Sequence, residues 1–261
     1  MVAALAKPPS TEAALGSSKA LMHGLEILGV LAESGAPMTS TEIARRVGMH
    51  QSSASRILRT LRSAGYVRKP DYHSFAADYG LLTLCGRSVR QFPVVHRAKE
   101  TMLALAERSH GLTLSLAILW HGQVMYLLRT QQNHEPIIIS VGGFPLHLSS
   151  PAMRLLLDCP EKEALEVLNE SQRRYGWDRP TERVPGSPKA CLKAARALLR
   201  HDCLPLAGWQ GAGRLSASIA LTVEGEPPLA LAISGSAESA SIDSVLLLLQ
   251  EGRHALEPAL R

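Results

Sequence analysis

Residues 39–70 constrain this chain more than any other stretch, because two short helical patterns meet there at a tight turn. Ser40 or Thr41 can cap the first helix, and Gly48 is expected to end it. A second helix is predicted from Gln51 to Ser63, where apolar residues recur at helical spacing. Two helices joined by a turn containing glycine are typical of a helix-turn-helix.

The outward face of the second predicted helix carries Gln, Ser and Arg side chains, which suit base edges and phosphates. Tyr66 to Lys69 and Tyr72 to Phe75 follow as a predicted β-hairpin, or wing, whose basic residues would contact phosphates electrostatically. Glu42 and Asp71 are the only acidic residues in this basic segment. A helical hairpin with a merely solvated basic face is the alternative. The residues predicted to contact double-stranded DNA are Thr41, Arg46, Gln51, Ser52, Ser53, Ser55, Arg56, Arg59, Arg68 and Lys69.

Size and charge fit a two-domain protein with a DNA-binding part. The chain has 261 residues, 46% of them hydrophobic, with a formal net charge of +5; this is enough for two domains. Residues 1–16 are predicted to form a disordered tail that is neither a secretory signal nor a membrane anchor. No apolar stretch reaches the roughly 18 to 20 residues needed to span a bilayer, so we predict a cytoplasmic protein with no membrane partner.

The N-terminal part is predicted to contain three helices and a wing, over residues 17–77. The first helix carries Leu21, Leu25, Leu28 and Ala32 at helical spacing, and this stripe suits either core packing or contact with another chain. Residues 78–93 are predicted to form a linker helix, and Val94 to Ser109 another helix.

After Gly111 the hydrophobic period changes, and strands alternate with helices through residues 94–261. Strands are predicted at Leu112 to Trp120, Gln123 to Thr130, Pro136 to Val141, Gly213 to Glu224 and Pro228 to Ser234. Helices are predicted at Ser149 to Leu157, Pro160 to Gln172, Pro188 to His201 and Ser239 to Leu256. Antiparallel hairpins with intervening helices predict an α+β sheet domain. The apolar run Val245 to Leu249 is expected in the core, with an oligomer contact as the alternative.

No pattern in the sequence supports catalysis or metal binding. The four cysteines lack CxxC spacing, which favours free thiols over a zinc site or disulfides. Neither an HExxH nor a GxSxG motif is present, and the glycines at 211 and 213 precede a strand rather than the helix of a phosphate-binding motif. The chain is therefore predicted to need no metal or cofactor and to have no catalytic residues.

The order of these segments resembles the IclR family of bacterial transcriptional regulators over about residues 17–256. Four stretches carry the resemblance: SSKALMHGLEILGVL, SASRILRTLRSAGYV, PLHLSSPAMRLLL and RLSASIALTVEGEPPLALAISGS. The resemblance implies an N-terminal winged helix-turn-helix, a linker helix and a C-terminal GAF-like or profilin-like effector domain. It also implies that homodimers, or dimers of dimers, bind a pseudo-palindromic operator and that a small-molecule effector changes this binding.

The resemblance further implies an effector pocket behind the PLHLSSPAMRLLL segment. The residues it points to are His147, Ser149, Ser150, Leu215, Ala232 and Ser234. Pro151 has no backbone N–H to donate to a carboxylate, and two of the matched strand positions, Leu215 and Ala232, are apolar. An aromatic or weakly polar effector is therefore expected in preference to a small dicarboxylate. The alternative function is a metabolite-binding module or enzyme that uses its helix-turn-helix for protein contact.

Overall fold

The computed structural model describes residues 18–130, 137–141 and 143–261, and the chain divides into two compact units between Phe92 and Pro93. The predicted tail of residues 1–16 lies outside the described part. The helices of the N-terminal unit are α1 (Lys19–Glu33), α2 (Ser40–Val47), α3 (Gln51–Ser63) and α4 (Tyr79–Val89). Its strands are β1 (Met38–Thr39), β2 (Val67–Arg68) and β3 (Ser74–Ala77), in the order β1-β3-β2. This is the predicted helix-turn-helix with its wing. The role of α4 as a linker stays a prediction.

The N-cap of α2 is Thr39, one residue before the first of the two expected caps. Thr39, in an extended conformation, accepts a hydrogen bond from the Glu42 N–H, while the Glu42 carboxylate accepts from the Thr39 N–H at 2.8 Å. The prediction of Ser40 or Thr41 as the cap is therefore wrong, because only Thr39 is followed three residues later by a glutamate. Gly48 ends α2 in the left-handed conformation, as expected.

The core of the N-terminal unit forms beneath Ile27 and Leu31 of α1, and Leu28 of the predicted stripe also packs against it. Ile27 and Leu31 pack with Ile43, Leu58 and Val67 in that core. Leu21 and Leu25, in contrast, are 64% and 62% exposed. Core packing is thus excluded for these two leucines, and they remain open for contact with another chain.

The C-terminal unit is built on one antiparallel sheet. Its helices are α5 (Pro93–Glu107), α6 (Ser150–Leu157), α7 (Glu161–Tyr175), α8 (Pro188–Leu198) and α9 (Ile242–Ala259). Its strands are β4 (Thr113–Trp120), β5 (Gln123–Thr130), β6 (Ile137–Val141), β7 (Cys203–Pro205), β8 (Arg214–Leu221) and β9 (Leu229–Ser236). The sheet order is β6-β5-β4-β9-β8-β7. The predicted α+β class is confirmed.

Helices cover both faces of this sheet. Helix α6, followed by α7 and α8, packs on one face with Ala117, Tyr126 and Ala230. Helices α5 and α9 pack together on the other, where Gly252 of α9 lies against Leu105 and Leu231. Because side chains alternate along a strand, neighbouring residues belong to different layers.

Several local predictions for the C-terminal unit need correction. The short strand β7 was not predicted, and Pro160 is the N-cap of α7 rather than its first residue. Pro188 does begin α8, as predicted, and Ser187 is its N-cap. Leu247 is 57% exposed, so the prediction that the whole run from 245 to 249 lies in the core is wrong at this residue. In the described ranges, no helix is long and apolar enough to cross a membrane.

Candidate nucleic-acid interface and ligand pocket

The outward face of α3 presents the predicted base-contacting side chains. Gln51, Ser52, Arg56 and Arg59 are exposed, whereas Ala54 and Leu58 are buried on the opposite face. Ser53 and Ser55 are half-buried, and Thr41 and Arg46 of α2 are exposed. Apart from the two half-buried serines, the residues predicted from the sequence on α2 and α3 therefore lie at the surface.

The wing holds its two basic residues in place through backbone contacts. Arg68 Nε donates to the Ala77 carbonyl at 3.2 Å. Lys69 Nζ donates to the Tyr72 carbonyl at 2.6 Å and lies 5.2 Å from the centre of the Phe75 ring. Both residues are exposed. Their charges are thereby placed at the hairpin surface, where phosphates can approach.

A carboxylate stabilises the wing turn. The Asp71 carboxylate accepts hydrogen bonds from the backbone N–H groups of His73 and Ser74 and from the Ser74 hydroxyl. The Ser74 hydroxyl bond is the main cause of a lowered pKa for Asp71. The acidic residue of the wing is thus occupied with turn formation rather than with neutralising Arg68 or Lys69.

The start of α4 is tied to the end of α3. The Gly80 N–H donates to the Gly65 carbonyl at 3.0 Å, and the Asp78 N–H donates to the Tyr66 carbonyl at 3.0 Å. Gly80 has no room for a side chain, because a Cβ there would overlap the carbonyl of Gly65. Helix α4 is therefore fixed relative to the C-terminal end of α3.

The C-terminal unit contains a small polar pocket at the start of α6, with a cavity volume of about 20 Å³. Its lining residues are Ser115, Tyr126, Arg129, Ser149, Ser150, Pro151, Gln210, Ser216, Ala232 and Ser234. The Ser149 hydroxyl accepts from the Ala152 N–H, and the hydroxyls of Ser150 and Ser216 share a hydrogen bond of 2.6 Å. This volume is enough for about one or two water molecules, so a larger ligand requires the pocket to open.

The structure brings four of the six predicted effector residues together. Ser149, Ser150, Ala232 and Ser234 line the pocket. Leu215 does not, because Ser216 occupies the pocket side of β8 and adjacent strand residues face opposite ways. From the sequence, an apolar side chain is expected at both matched strand positions. On β8 this expectation is wrong, because the pocket is lined there by the hydroxyl of Ser216.

Tyr126 and Arg129 supply the pocket's aromatic ring and its positive charge, and neither was predicted. The Arg129 guanidinium carbon lies 4.8 Å from the centre of the Tyr126 ring. Burial raises the pKa of the Tyr126 phenol, which keeps it protonated and able to donate. Two features of the sequence could have indicated these pocket residues. Arg129 is an arginine within an otherwise apolar strand, and the alternation of side chains along β4 places Ser115 on the pocket face.

His147 lies outside the pocket lining and is buried beside Trp177. Their rings stack with centres 3.8 Å apart, and His147 Nε2 donates to the Asp178 carbonyl at 2.7 Å. Burial lowers the pKa of His147, although this hydrogen bond and the nearby Asp178 charge oppose the shift. A structural role for this predicted effector residue agrees with these contacts.

Acid should destabilise the chain partly through His147. Its folded pKa is below the unfolded value of about 6.5, so the unfolded state binds more protons as pH falls through about 6.5, and stability is lost there. We expect the free energy of unfolding, measured by urea titration between pH 7.5 and 5, to fall less in His147→Phe than in the wild type. The exposed His254→Gln is the control, and equal slopes for His147→Phe and wild type would contradict the expectation.

The cysteines of the C-terminal unit are unsuited to metal binding. Burial raises the pKa of Cys191 to about 12 and those of Cys159 and Cys203 to about 11, so these thiols stay protonated. Across the described residues, no three His, Cys, Asp or Glu side chains cluster as metal ligands.

Sequence comparison finds similarity to bacterial transcriptional regulators. Residues 20–71 match the IclR helix-turn-helix domain. The transcriptional repressor IclR of Escherichia coli (strain K12) is 25% identical over 174 residues, covering 61% of this chain and 60% of the repressor's length. The chain thus carries the helix-turn-helix domain of the IclR family. The aligned part of the chain spans about three-fifths of the length of the E. coli repressor.

Solved structures show that the IclR-family fold extends over nearly the whole chain. An IclR family transcriptional regulator from Brucella abortus has a TM-score of 0.79 at 22% identity, covering 97% of this chain and 99% of that one. An IclR homolog from Microbacterium hydrocarbonoxydans, complexed with 4-hydroxybenzoate, has a TM-score of 0.71 at 21% identity. The alignment with the Microbacterium protein covers 93% of this chain and 99% of that one.

Proposed function

We propose that this chain is a transcriptional regulator that binds double-stranded operator DNA and responds to a small molecule. The observation that carries the proposal is the exposed row of Gln51, Ser52, Arg56 and Arg59 on α3, backed by a buried apolar face and flanked by a basic wing. Arginine and glutamine at a helix surface provide bidentate donors for guanine and adenine in the major groove.

Selection of DNA by the full-length protein tests this proposal. Genomic fragments retained by the protein at about 150 mM salt, near physiological ionic strength, should share an inverted repeat. Half-sites should lie about one helical turn apart, or a multiple of it, since a two-fold dimer places its recognition helices at that spacing. Retention of fragments without any common sequence would contradict the proposal.

We propose that the exposed apolar face of α1 contributes to the dimer. Leu21, Met22 and Leu25 are all exposed there, and an exposed cluster of large apolar side chains often marks an interface. Leu21→Glu combined with Leu25→Glu should shift the protein toward monomer in sedimentation-velocity experiments, because two buried charges would face each other across the symmetry axis. Leu247→Glu, similarly exposed on α9, is the matched control. A shift with the control alone would assign the contact to α9 instead.

The sequence favours an aromatic or weakly polar effector, whereas the lining of the pocket supports a polar one. Ser216 replaces Leu215 on the pocket face, and Arg129 adds a positive charge. Pro151 still removes one backbone donor at the start of α6. The 4-hydroxybenzoate complex of the Microbacterium hydrocarbonoxydans homolog supports proposing that a ligand of similar size binds here.

A metabolite-binding module or enzyme that uses α2 and α3 for protein contact is the second candidate. DNA selection separates the two, because only the regulator enriches a repeated sequence. Catalytic turnover without DNA selectivity would favour the second candidate.

A further inference from the structure

A second cavity of the C-terminal unit lies on the α5 and α9 side of the sheet, where α5 ends and α9 begins. Its volume is about 310 Å³, which falls at the lower end of the range for small-molecule sites. Leu112, Val245 and Leu248 form its floor, and all three are buried. We call it the α5–α9 cavity. It shares no lining residue with the polar pocket at the start of α6.

The floor of the α5–α9 cavity is fixed by the connection between α5 and β4. His110 has a φ of 53°, a left-handed conformation that turns the chain between the helix and the strand. The buried Ser109 hydroxyl donates to the Leu112 carbonyl at 2.7 Å, which closes this turn. A Cβ at Gly235 would overlap the Leu112 side chain, so glycine is needed for Leu112 to lie there. The cavity is therefore preformed, which lowers the ordering cost of binding.

The polar groups at the rim of the cavity already have partners or water. Arg108, just after α5, forms an ion pair with Glu251 of α9. The Ser244 hydroxyl donates to the Ser241 carbonyl at 2.8 Å, and His110 is exposed and can stay hydrated. A charged ligand would lie against the apolar floor while Arg108 keeps its own counter-charge, which is unfavourable. The paired charges therefore favour an uncharged ligand.

The size of the cavity sets the size of the ligand. Leu247, which is 57% exposed, extends the apolar surface from the floor to the rim. An apolar cavity of roughly 150 Å³ in another protein holds benzene. About twice that volume is enough for one ring with an alkyl substituent, or for two fused rings.

We propose that the α5–α9 cavity binds an uncharged, largely hydrocarbon molecule of one or two rings. Its body lies on the floor formed by Leu112, Val245 and Leu248, and Leu247 covers one side. The Arg108–Glu251 ion pair stays intact at the rim. The inference goes beyond the proposed regulator and depends neither on DNA binding nor on the ligand of the polar pocket.

Binding in this cavity has a consequence for the packing of α5 on α9. The two helices approach closely, because a Cβ at Gly252 would lie 3.2 Å from the Leu105 side chain. A ligand held between the end of α5 and the start of α9 adds apolar contacts to both helices. It therefore stabilises the C-terminal unit in the arrangement that the structure shows.

Nuclear magnetic resonance with ethylbenzene as the probe tests the inference on the full-length protein. Ethylbenzene should bind, with nuclear Overhauser contacts to the methyl groups of Leu247 and Leu248. Toluene should displace it. 4-Ethylbenzoate, which adds one carboxylate to the same frame, should need at least about ten-fold higher concentration than toluene to do so, since its charge would lie on the apolar floor.

A variant that fills the cavity provides the second test. Ser244→Trp places a large side chain over the floor and should weaken ethylbenzene binding by at least about ten-fold, which corresponds to 1.4 kcal/mol. Ser244 is exposed, so the fold should persist. Ala255→Trp is the matched control, because Ala255 is exposed on the same helix and does not line the cavity. Its affinity for ethylbenzene should equal that of the wild type.

Three outcomes would overturn the inference. Ethylbenzene fails to bind the wild type, or Ser244→Trp and Ala255→Trp bind it equally well, or its Overhauser contacts fall on the polar pocket. Affinity that falls as the protein concentration rises would mean that a second copy of the chain covers the cavity, and this too would overturn it. Operator selection by the same preparations is a separate readout, so failure here leaves the proposed regulator in place.

Discussion

A protein carrying both Arg56→Ala and Arg59→Ala should lose roughly 2 to 6 kcal/mol of operator-binding free energy. Both side chains are exposed on the outward face of α3, and each base-reading arginine is worth about 1 to 3 kcal/mol. The substitutions leave the buried Ala54 and Leu58 unchanged, so the fold should persist. Fluorescence anisotropy with the selected operator measures the loss.

The control for this pair removes the same charge elsewhere. Arg173→Ala combined with Arg174→Ala lowers the net charge equally, but both residues lie on α7 in the C-terminal unit. Its operator affinity should stay near the wild-type value. Equal losses in the two double variants would mean that total charge, rather than the surface of α3, determines binding.

Gly80→Ala should destabilise the N-terminal unit by about 3 kcal/mol, within the range for overpacked positions. A Cβ at residue 80 would lie 2.8 Å from the Gly65 carbonyl carbon and still closer to its oxygen. Both are backbone atoms, so no flexible side chain can move aside. Relief of the overlap would break the hydrogen bond from the Gly80 N–H to the Gly65 carbonyl and shift α4 away from the end of α3.

Gly86 provides a matched control on the same helix. A Cβ there meets no atom within 4 Å, so Gly86→Ala should stabilise the unit slightly, by about 0.5 to 1 kcal/mol from helix propensity. Urea unfolding of both variants, followed by circular dichroism, gives the comparison. Similar free energies of unfolding for the two variants would show that the close approach of Gly65 does not prevent a side chain at residue 80.

The sequence predicted the helix-turn-helix closely because its signals are local. The apolar period placed α3 over Gln51–Ser63, and Gly48 marked the end of α2. The cap of α2 was misplaced because three consecutive residues, Thr39, Ser40 and Thr41, all carry capping hydroxyls. The glutamate at position 42 distinguishes them, since only Thr39 lies three residues before it.

The ligand pocket was less predictable because its geometry depends on contacts between distant strands. A one-residue shift exchanged Leu215 for Ser216, since alternate residues face opposite sides of a sheet. Arg129 joins the site only through the register of β4 and β5, which contains an irregularity between Leu116 and Ala117. Strand β7 has three residues, too few to show a period.

We propose that the surface of α3 reads an operator sequence. The most direct test compares the affinity of the wild type for the selected operator with its affinity for a shuffled duplex, across 50 to 200 mM salt. We predict at least about a thousand-fold preference for the operator, with affinities for both duplexes falling as salt rises. Equal affinities for the two duplexes throughout that range would mean that the surface of α3 does not read the operator sequence.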